Sequence, residues 1–386
     1  MKLFTMAAWA FALWVLQGFV FCQYWHKNLN VSLSFSCTGT EEGGRAVLKE
    51  TITNAKVLPL PVLHVKFQMA KYLIFTSSGN FKITDQNYRS DIFSCMPWQE
   101  IRRNLEFSCS KRGYYTISQV QIISYDLFFS GHLTASIPVN ACLYVYPREV
   151  PLERLNLPFR NLCGQFLACS SLLADPFEIQ SVRPYQSYDP YGTINWKATA
   201  RTGELKVNVY APTASWQVMF LLDMDSGGIY KDEALTEEAI RLCASYSRLL
   251  IRQGIPVSVC TNGTDCLTGQ PGCIKSGAGS DHVKAVLELL ARIQAAEKLP
   301  PMEFLLETMA DGSCTFMPRS RESIIYILIS SKQRESLAQS YGSLCRSVPG
   351  CQWILPLRPG QKCCLKPFAQ FSLFPWEVAY DYSQAS

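Results

Sequence analysis

The chain begins with a long apolar run. Residues 3–25 contain no charged side chain, and a helix of this length, rising 1.5 Å per residue, spans roughly 30 Å, the thickness of a bilayer core. Tyr24 and Trp25, followed by Lys27, are typical of the interfacial end of a membrane span. A cleaved signal peptide is the alternative, but large residues precede Cys22, where a cleavage site needs small ones. We therefore predict an uncleaved anchor over residues 1–25, crossing a cell membrane once.

Between residues 28 and 150, short runs of alternating apolar and polar residues follow one another. Residues 30–36, 62–69 and 105–109 alternate with a period of two, and turn residues such as Gly43 and Gly44 separate the runs. This period is typical of half-buried strands. We predict an antiparallel β-sandwich. We expect His64, which alternates with apolar residues, to be a packed histidine, and the sandwich to be a scaffold without chemistry of its own.

From residue 216 to 360 the pattern changes to continuous apolar runs that alternate with amphipathic stretches. Residues 217–222, 255–260, 323–330 and 352–357 suit strands buried on both faces, whereas 233–252, 282–298 and 332–346 have helical spacing. This alternation predicts an α/β domain with a mainly parallel sheet. Residues 151–215 are predicted to be a connecting segment and 361–386 a C-terminal extension.

An acidic turn follows the first of these strands. In open α/β sheets, ligands bind beyond the carboxyl ends of the strands, which directs attention to residues 223–228, 261–280 and 330–333. Asp223, Asp225 and Ser226 could hold a hard cation such as Mg²⁺ through their oxygens. Further oxygens would have to come from Ser280 or Asp281 and from Ser330 or Ser331. A capped turn without any metal is the alternative, and we predict no resident cofactor.

Residues 181–209 combine basic and aromatic side chains in one short stretch. Arginine beside aromatic rings can bind phosphate or stack on bases, but the same composition is typical of protein–protein hot spots and of domain junctions. We favour a junction or partner surface and no nucleic acid. The residues assigned to it are Arg183, Tyr185, Asp189, Trp196 and Arg201.

Composition and motifs argue against an enzyme. The net charge of +5 is mild, and the sixteen cysteines form no C-x-x-C pair. Free thiols in a reducing compartment are favoured, with disulfides the alternative if the soluble part faces outward. The sequence contains no G-x-S-x-G, Walker, H-E-x-x-H or dinucleotide motif. Catalysis by Cys260 or Cys266 with His282 is left open as the thiol-enzyme alternative.

The segment 181–209 also resembles a known family. Its pattern is similar to that of the bacterial membrane proteins designated domain of unknown function 58, DUF58. Shorter similarities occur at residues 111–115, 124–128 and 145–147. The residues that carry the long motif are Arg183, Tyr185, Asp189, Ile194, Trp196, Ala200, Arg201, Leu205 and Val207.

The resemblance implies an immunoglobulin-like region followed by a von Willebrand factor A-like domain. It also implies partnership with a MoxR-type AAA+ ATPase and with other membrane proteins, and hence a cytoplasmic soluble part. The chain departs from the family pattern at Tyr188 and Gly192, and its metal-adhesion motif is reduced to Asp223, Asp225 and Gly227. Only one membrane span is found where the family commonly has two.

We therefore predict a membrane-anchored, non-enzymatic interaction module that acts in the assembly or maturation of envelope proteins. A divalent-cation-dependent adhesion module and a hydrolase or thiol enzyme are the alternatives.

Overall fold

The computed structural model forms two compact units, Met1–Arg148 and Glu149–Ser386. It describes residues 2–76, 81–83, 86–126, 128, 131–151, 153–155, 174–186, 189–212, 217–225, 232–295, 300–311, 324–348, 350–366 and 368–378.

The first unit begins with helix α1, Lys2–Tyr24. Its stretch Leu3–Tyr24 is long and apolar enough to cross a membrane, and most of its large apolar side chains are exposed. At the C-terminal end, however, Phe21 and Trp25 are 1% and 4% exposed and pack in the core of the following β-sandwich. The last turn of α1 and Trp25 just after it are therefore part of the folded unit, while the rest of the helix projects from it.

In the described part of the sandwich, ten strands form two sheets. One sheet has the order β1-β3-β8-β5 and the other β2-β10-β9-β4-β7-β6. The described pairings are antiparallel, except that β2 runs parallel to β10, so the predicted antiparallel strands are confirmed. Alternate residues of β3, including Ala46, Leu48 and Ile52, point into the core, as a period of two requires. The strands are β1 Leu29–Phe35, β2 Gly39–Glu41, β3 Arg45–Asn54, β4 Leu60–Ala70, β5 Leu73–Phe75, β6 Phe81–Ile83, β7 Gln86–Cys95, β8 Glu100–Cys109, β9 Gly113–Tyr125 and β10 His132–Tyr146.

A group of charged side chains interrupts this apolar core. Glu50 occupies an inward position of β3 and is 1% exposed, and neither of its carboxylate oxygens has a hydrogen-bond partner among the described residues. In the other sheet, Arg89 pairs with Asp91 at 2.6 Å. Arg103, the register partner of Glu50 on β8, lies 3.1 Å from Asp91. Burial, reinforced by the negative charge of Asp91, raises the pKa of Glu50 to about 7.

The second unit contains a two-stranded hairpin and a larger mixed sheet. The sheet has the order β15-β14-β13-β17-β18-β19. Strands β14, β13, β17, β18 and β19 are mutually parallel, and β15 and β16 pair antiparallel with β14. The strands are β11 Ala174–Pro184, β12 Lys206–Pro212, β13 Gln217–Leu222, β14 Val257–Asp265, β15 Pro271–Gly277, β16 Ile293–Gln294, β17 Ile324–Ile329, β18 Gln352–Leu357 and β19 Ser372–Glu377. The helices are α2 Trp196–Thr202, α3 Glu233–Arg252, α4 Ser280–Arg292, α5 Met302–Ala310 and α6 Glu335–Leu344.

The apolar runs explain the order of this sheet. Strands β17 and β18 are buried at every position, and β13 at all but its first. Such strands need neighbours on both edges and cover on both faces, which is typical of parallel sheets whose crossovers carry helices. The prediction of a mainly parallel sheet after residue 216 is therefore confirmed.

Four segments differ from the sequence predictions. The predicted loop 261–280 is largely strand, because β14 continues to Asp265 and β15 pairs back onto it. The predicted C-terminal extension supplies β19, which pairs in parallel with β18. Residues 151–215, predicted as a connecting segment, contain the β11–β12 hairpin and α2. Helix α5 was not predicted, since its nine residues carry too few polar positions to define one face.

Candidate functional site

The carboxyl ends of β13, β14 and β17 meet at a buried aspartate. Parallel pairing places Leu222 beside Thr261 on one side and beside Ile329 on the other, so the residues that follow these strand ends are neighbours. Asp223 is 3% exposed. Its Oδ1 accepts hydrogen bonds from Asn262 Nδ2 at 2.8 Å and from the Asp225 amide at 3.1 Å, and its Oδ2 accepts one from Ser330 Oγ at 2.8 Å. We call this arrangement the Asp223 pocket.

A lysine side chain completes the Asp223 pocket. The Nζ of Lys332 lies 2.8 Å from Asp225 Oδ2 and 3.5 Å from Asp223 Oδ2, and the side chain is 1% exposed. Its backbone is held by a hydrogen bond from the Lys332 amide to Ser330 Oγ at 3.2 Å. One ammonium group therefore pairs with two carboxylates at the end of the central strand.

The electrostatics of the pocket balance burial against these partners. Burial raises the pKa of Asp223, because a carboxylate loses solvation in the protein interior. The Lys332 ammonium, followed by the Asp225 amide and the side chains of Ser330 and Asn262, opposes this rise by stabilising the ionised form.

These contacts bear directly on the predicted magnesium site. The structure does bring Asp223 and Asp225 together, but Ser226 lies outside the described residues, and the hydroxyl comes from Ser330 rather than Ser331. Ser280 and Asp281 begin helix α4, and neither is among the hydrogen-bond partners described for Asp223. Within the described part of the chain, no group of three or more His, Cys, Asp or Glu could hold a metal. Among the described residues, the space beside both carboxylates holds the Lys332 ammonium.

The segment 181–209 folds as a compact hairpin. We call residues 181–208 the motif hairpin. They comprise the end of β11, helix α2 and the start of β12. Arg183 binds both carboxylate oxygens of Asp189, at 2.7 and 2.6 Å, and Asp189 also accepts a hydrogen bond from the Gln186 amide at 2.9 Å. The Arg183 guanidinium, assisted by that amide, lowers the pKa of Asp189. This pair closes the turn that follows β11.

Helix α2 is fixed at both ends. Asn195 caps its start, since its Oδ1 accepts the Ala198 amide at 2.9 Å and its Nδ2 donates to Asn208 on β12 at 2.7 Å. Gly203 ends the helix with φ of 72°, a left-handed conformation that favours glycine. Lys206 returns to the helix through a hydrogen bond to Thr199 Oγ1 at 3.0 Å. The short helix is thereby held against β12.

The five residues predicted for an interaction surface divide into two groups. Arg183 and Asp189 brace the hairpin from within, and Tyr185 stacks on Tyr191 with ring centroids 6.1 Å apart. Trp196 and Arg201 point outward, and Trp196 is 67% exposed. Tyr191, which sequence reasoning did not assign to this surface, is 78% exposed. The exposed group is therefore Tyr191, Trp196, Lys197 and Arg201, which we call the aromatic–basic face.

The candidate thiol residues lie on β14 and just after it. Cys260 and Cys273 are register partners on β14 and β15, with Sγ atoms 2.7 Å apart. His282 donates from Nε2 to the Val257 carbonyl at 2.7 Å, so this hydrogen bond goes to the backbone of β14 rather than to a thiol. Burial, followed by the charge of Asp265, raises the pKa of Cys266, which disfavours the reactive thiolate.

Residues 181–330 match the model of a family described as "Protein of unknown function DUF58". The predicted resemblance to DUF58 is thereby confirmed over this region, which contains the motif hairpin and, from Asp223 to Ser330, most of the Asp223 pocket. Lys332 lies two residues beyond it. No curated protein matches the sequence.

Some solved structures are distantly similar to part of this chain. A non-cellulosomal cohesin from the hyperthermophilic archaeon Archaeoglobus fulgidus is 13% identical, with a TM-score of 0.22 over 33% of this chain and 96% of that one. The ASH/PapD-like domain of human CEP192 is 11% identical, with a TM-score of 0.22 over 32% of this chain and 87% of that one.

Proposed function

We propose that this chain is a membrane-anchored, non-enzymatic interaction module with a von Willebrand factor A-like α/β unit, and that its partner is a MoxR-type AAA+ ATPase. In this role it helps the ATPase to assemble or mature other envelope proteins. The observation that carries the proposal is the position of Lys332, whose ammonium takes the place of a metal ion beside Asp223 and Asp225.

The Lys332 contact separates this proposal from cation-dependent adhesion. A metal that bridges to a partner must keep an open coordination position, whereas the Lys332 side chain is 1% exposed and already lies against two carboxylates. Asp223 accepts hydrogen bonds on both of its oxygens. The end of β13 then serves as a prearranged platform, and a partner has to be recognised elsewhere.

The aromatic–basic face is suited to that recognition. Tryptophan, tyrosine and arginine dominate the binding energy of protein interfaces. Here Trp196 and Arg201 project from a helix that is capped at one end and held against a strand, and Tyr191 lies in the turn before that helix. A rigid helix loses little conformational entropy on binding. The face lies inside the DUF58 match, so the family resemblance and the exposed side chains point to the same surface.

The buried end of α1 supports a retained anchor. Phe21 and Trp25 belong to the hydrophobic core of the sandwich. Cleavage in the region of Cys22 would remove Phe21 and leave a cavity, which for a large buried side chain costs about 3–5 kcal/mol. A segment that completes the core is therefore better interpreted as a permanent anchor than as a signal peptide. Partnership with the ATPase would place the soluble part in the cytoplasm.

Trp196→Ala is expected to weaken binding to the ATPase by about thirtyfold, corresponding to the roughly 2 kcal/mol of a hot-spot tryptophan. The measurement is biolayer interferometry between the full chain in nanodiscs and a purified MoxR-type ATPase. The matched control is Phe304→Ala on α5, where the phenylalanine is 65% exposed, and its affinity should equal that of the wild type. Equal losses in both variants, or no binding of the wild-type chain, would remove the proposal.

A further inference from the structure

The end of the β-sandwich next to α1 contains a cleft of about 530 Å³. Its lining is partly apolar, from Val20 near the end of α1 and from residues 57–59 between β3 and β4, and it also includes Lys27 and Lys56. The cleft therefore places two lysines beside a surface suited to hydrocarbon.

Lys56 is the unusual member of this lining. It is 9% exposed, and its Nζ has no hydrogen-bond partner among the described residues. Burial lowers its pKa to about 8, although the nearby Cys95 thiol acts in the opposite direction. A buried ammonium without a partner is strongly unfavourable. An anionic oxygen that reached Nζ from the cleft would provide the missing hydrogen bond. The second ammonium, that of Lys27, lies 4.6 Å from the centre of the Tyr24 ring.

Backbone and amide hydrogen bonds place the neighbouring loops at the same end of the sandwich. The Ala55 amide donates to Asn28 just after α1 at 2.9 Å. The Asn54 side chain donates to the carbonyls of Leu58 and Met96, each at 3.0 Å. The loop between β3 and β4 and the loop between β7 and β8 are thus tied together beside the end of α1.

These loops expose large apolar side chains. Val57 is 73% exposed, Met96 62% and Trp98 70%, while Tyr24 on α1 is 52% exposed. Tryptophan and tyrosine concentrate at the boundary between lipid and water. Apolar loop tips around the base of a helix long enough to cross a bilayer indicate that this rim touches the membrane surface.

We propose that the cleft binds the headgroup phosphate of an acidic phospholipid, with Lys56 and Lys27 as its cationic ligands and with an acyl chain along the Val20 side of α1. The apolar lining of the cleft and the exposed apolar side chains of the neighbouring loops favour a lipid over a free phosphate ion, which would contact only the lysines. The inference rests on the membrane anchoring in the proposed function and is independent of the ATPase partner.

The test measures lipid retention by the full chain. The protein is reconstituted in nanodiscs of phosphatidylcholine with phosphatidylglycerol, extracted in mild detergent and analysed by native mass spectrometry. Lys56→Met should reduce retained phosphatidylglycerol at least about tenfold, the loss expected for one charge-assisted hydrogen bond. Lys49→Met, which changes an exposed lysine on β3, should retain as much as the wild type.

A stability measurement keeps the test independent of folding defects. Without lipid, Lys56→Met should raise the midpoint of thermal unfolding, because it removes an unpaired buried charge. Phosphatidylglycerol should raise the midpoint of the wild type but not that of Lys56→Met. Opposite effects of one substitution on stability and lipid retention are not produced by misfolding.

Three outcomes would overturn the proposal. They are equal retention by Lys56→Met and wild type, equal retention of phosphatidylcholine and phosphatidylglycerol, and displacement of the lipid by inorganic phosphate at comparable concentration, which would indicate a free-anion site. The Trp196→Ala variant should retain lipid normally, so failure of ATPase binding and failure of lipid binding remain distinguishable. The intact mass of the purified chain shows whether α1 is present.

Discussion

Lys332→Met is expected to lower the free energy of unfolding of the α/β unit by about 3–5 kcal/mol, the usual effect of removing one partner from a buried ion pair. The variant leaves Asp223, 3% exposed, without the ammonium that offsets its desolvation. Urea unfolding of the full chain is monitored through peptide-resolved thiol labelling of Cys243. This cysteine is fully buried in α3 and therefore reports on the unfolding of this unit. The urea concentration at the midpoint of unfolding should fall in proportion to this loss of free energy.

Two further variants test whether this loss of stability comes from the buried ion pair. Lys284→Met removes an exposed lysine that pairs with Glu288 at 3.9 Å on α4, and a surface pair of this kind contributes less than about 0.5 kcal/mol. Combining Lys332→Met with Asp223→Asn and Asp225→Asn should recover most of the stability, because no unpaired charge remains. An equal effect of Lys332→Met and Lys284→Met would show that the Lys332 ammonium does not stabilise the Asp223 pocket.

The same variants address the alternative of cation-dependent adhesion. In Lys332→Ala the two carboxylates face a space that the lysine side chain has left, and added Mg²⁺ should then restore part of the lost stability through binding to the folded state. Wild-type protein should show no such response. If Mg²⁺ stabilises the wild type as well, the ammonium does not exclude the metal, and the proposal of a metal-free interaction module fails.

The sequence predicted the Asp223 pocket only in part, for a physical reason. The apolar run before Asp223 and Asp225 indicates that they follow a buried strand. The rule for parallel sheets then directs attention to the ends of the neighbouring strands. That Lys332 reaches both carboxylates depends on the register of β13 against β17. Register is set by packing across the sheet, which spacing along the chain does not reveal.

The motif hairpin shows the same limit. Its residues could be named from their composition and from the family resemblance, but not their roles. Arg183 and Asp189 bind each other, whereas Trp196 and Arg201 face solvent. A strand or helix face can be predicted when one period dominates. In a turn closed by side-chain hydrogen bonds, the direction of each side chain is decided by its partner.

Strands of weak apolar character were missed for a related reason. Strand β15, Pro271–Gly277, contains two glycines and one proline, and β19 follows a segment rich in lysine, cysteine and proline. Both lie at edges of the sheet, where one neighbour suffices and local propensity is weak. The central strands β13, β17 and β18, buried on both faces, were the ones that the hydrophobic pattern identified.

The pH dependence of the sandwich should be dominated by one buried carboxyl group. The pKa of Glu50 is raised from 4.5 to about 7 in the folded chain, first by burial and then by Asp91, against the opposing charges of Arg103 and Arg89. The folded state therefore prefers the protonated form. The contribution of this group to stability is fully present below pH 4.5 and is lost as the pH rises through 7.

Replacing Glu50 by Gln should remove this dependence, because the amide keeps the shape of the protonated carboxyl group at every pH. Relative to Glu50→Gln, the wild-type sandwich should lose up to about 3 kcal/mol of unfolding free energy between pH 4.5 and pH values above 7. The measurement is urea unfolding of the full chain, followed by labelling of the buried Cys109 on β8 with a dipyridyl disulfide that reacts in acid. Glu106→Gln, at an exposed position of the same strand, should follow the wild type. Parallel pH profiles for wild type and Glu50→Gln would mean that Glu50 is ionised in the core, with its charge balanced by Arg89 and Arg103.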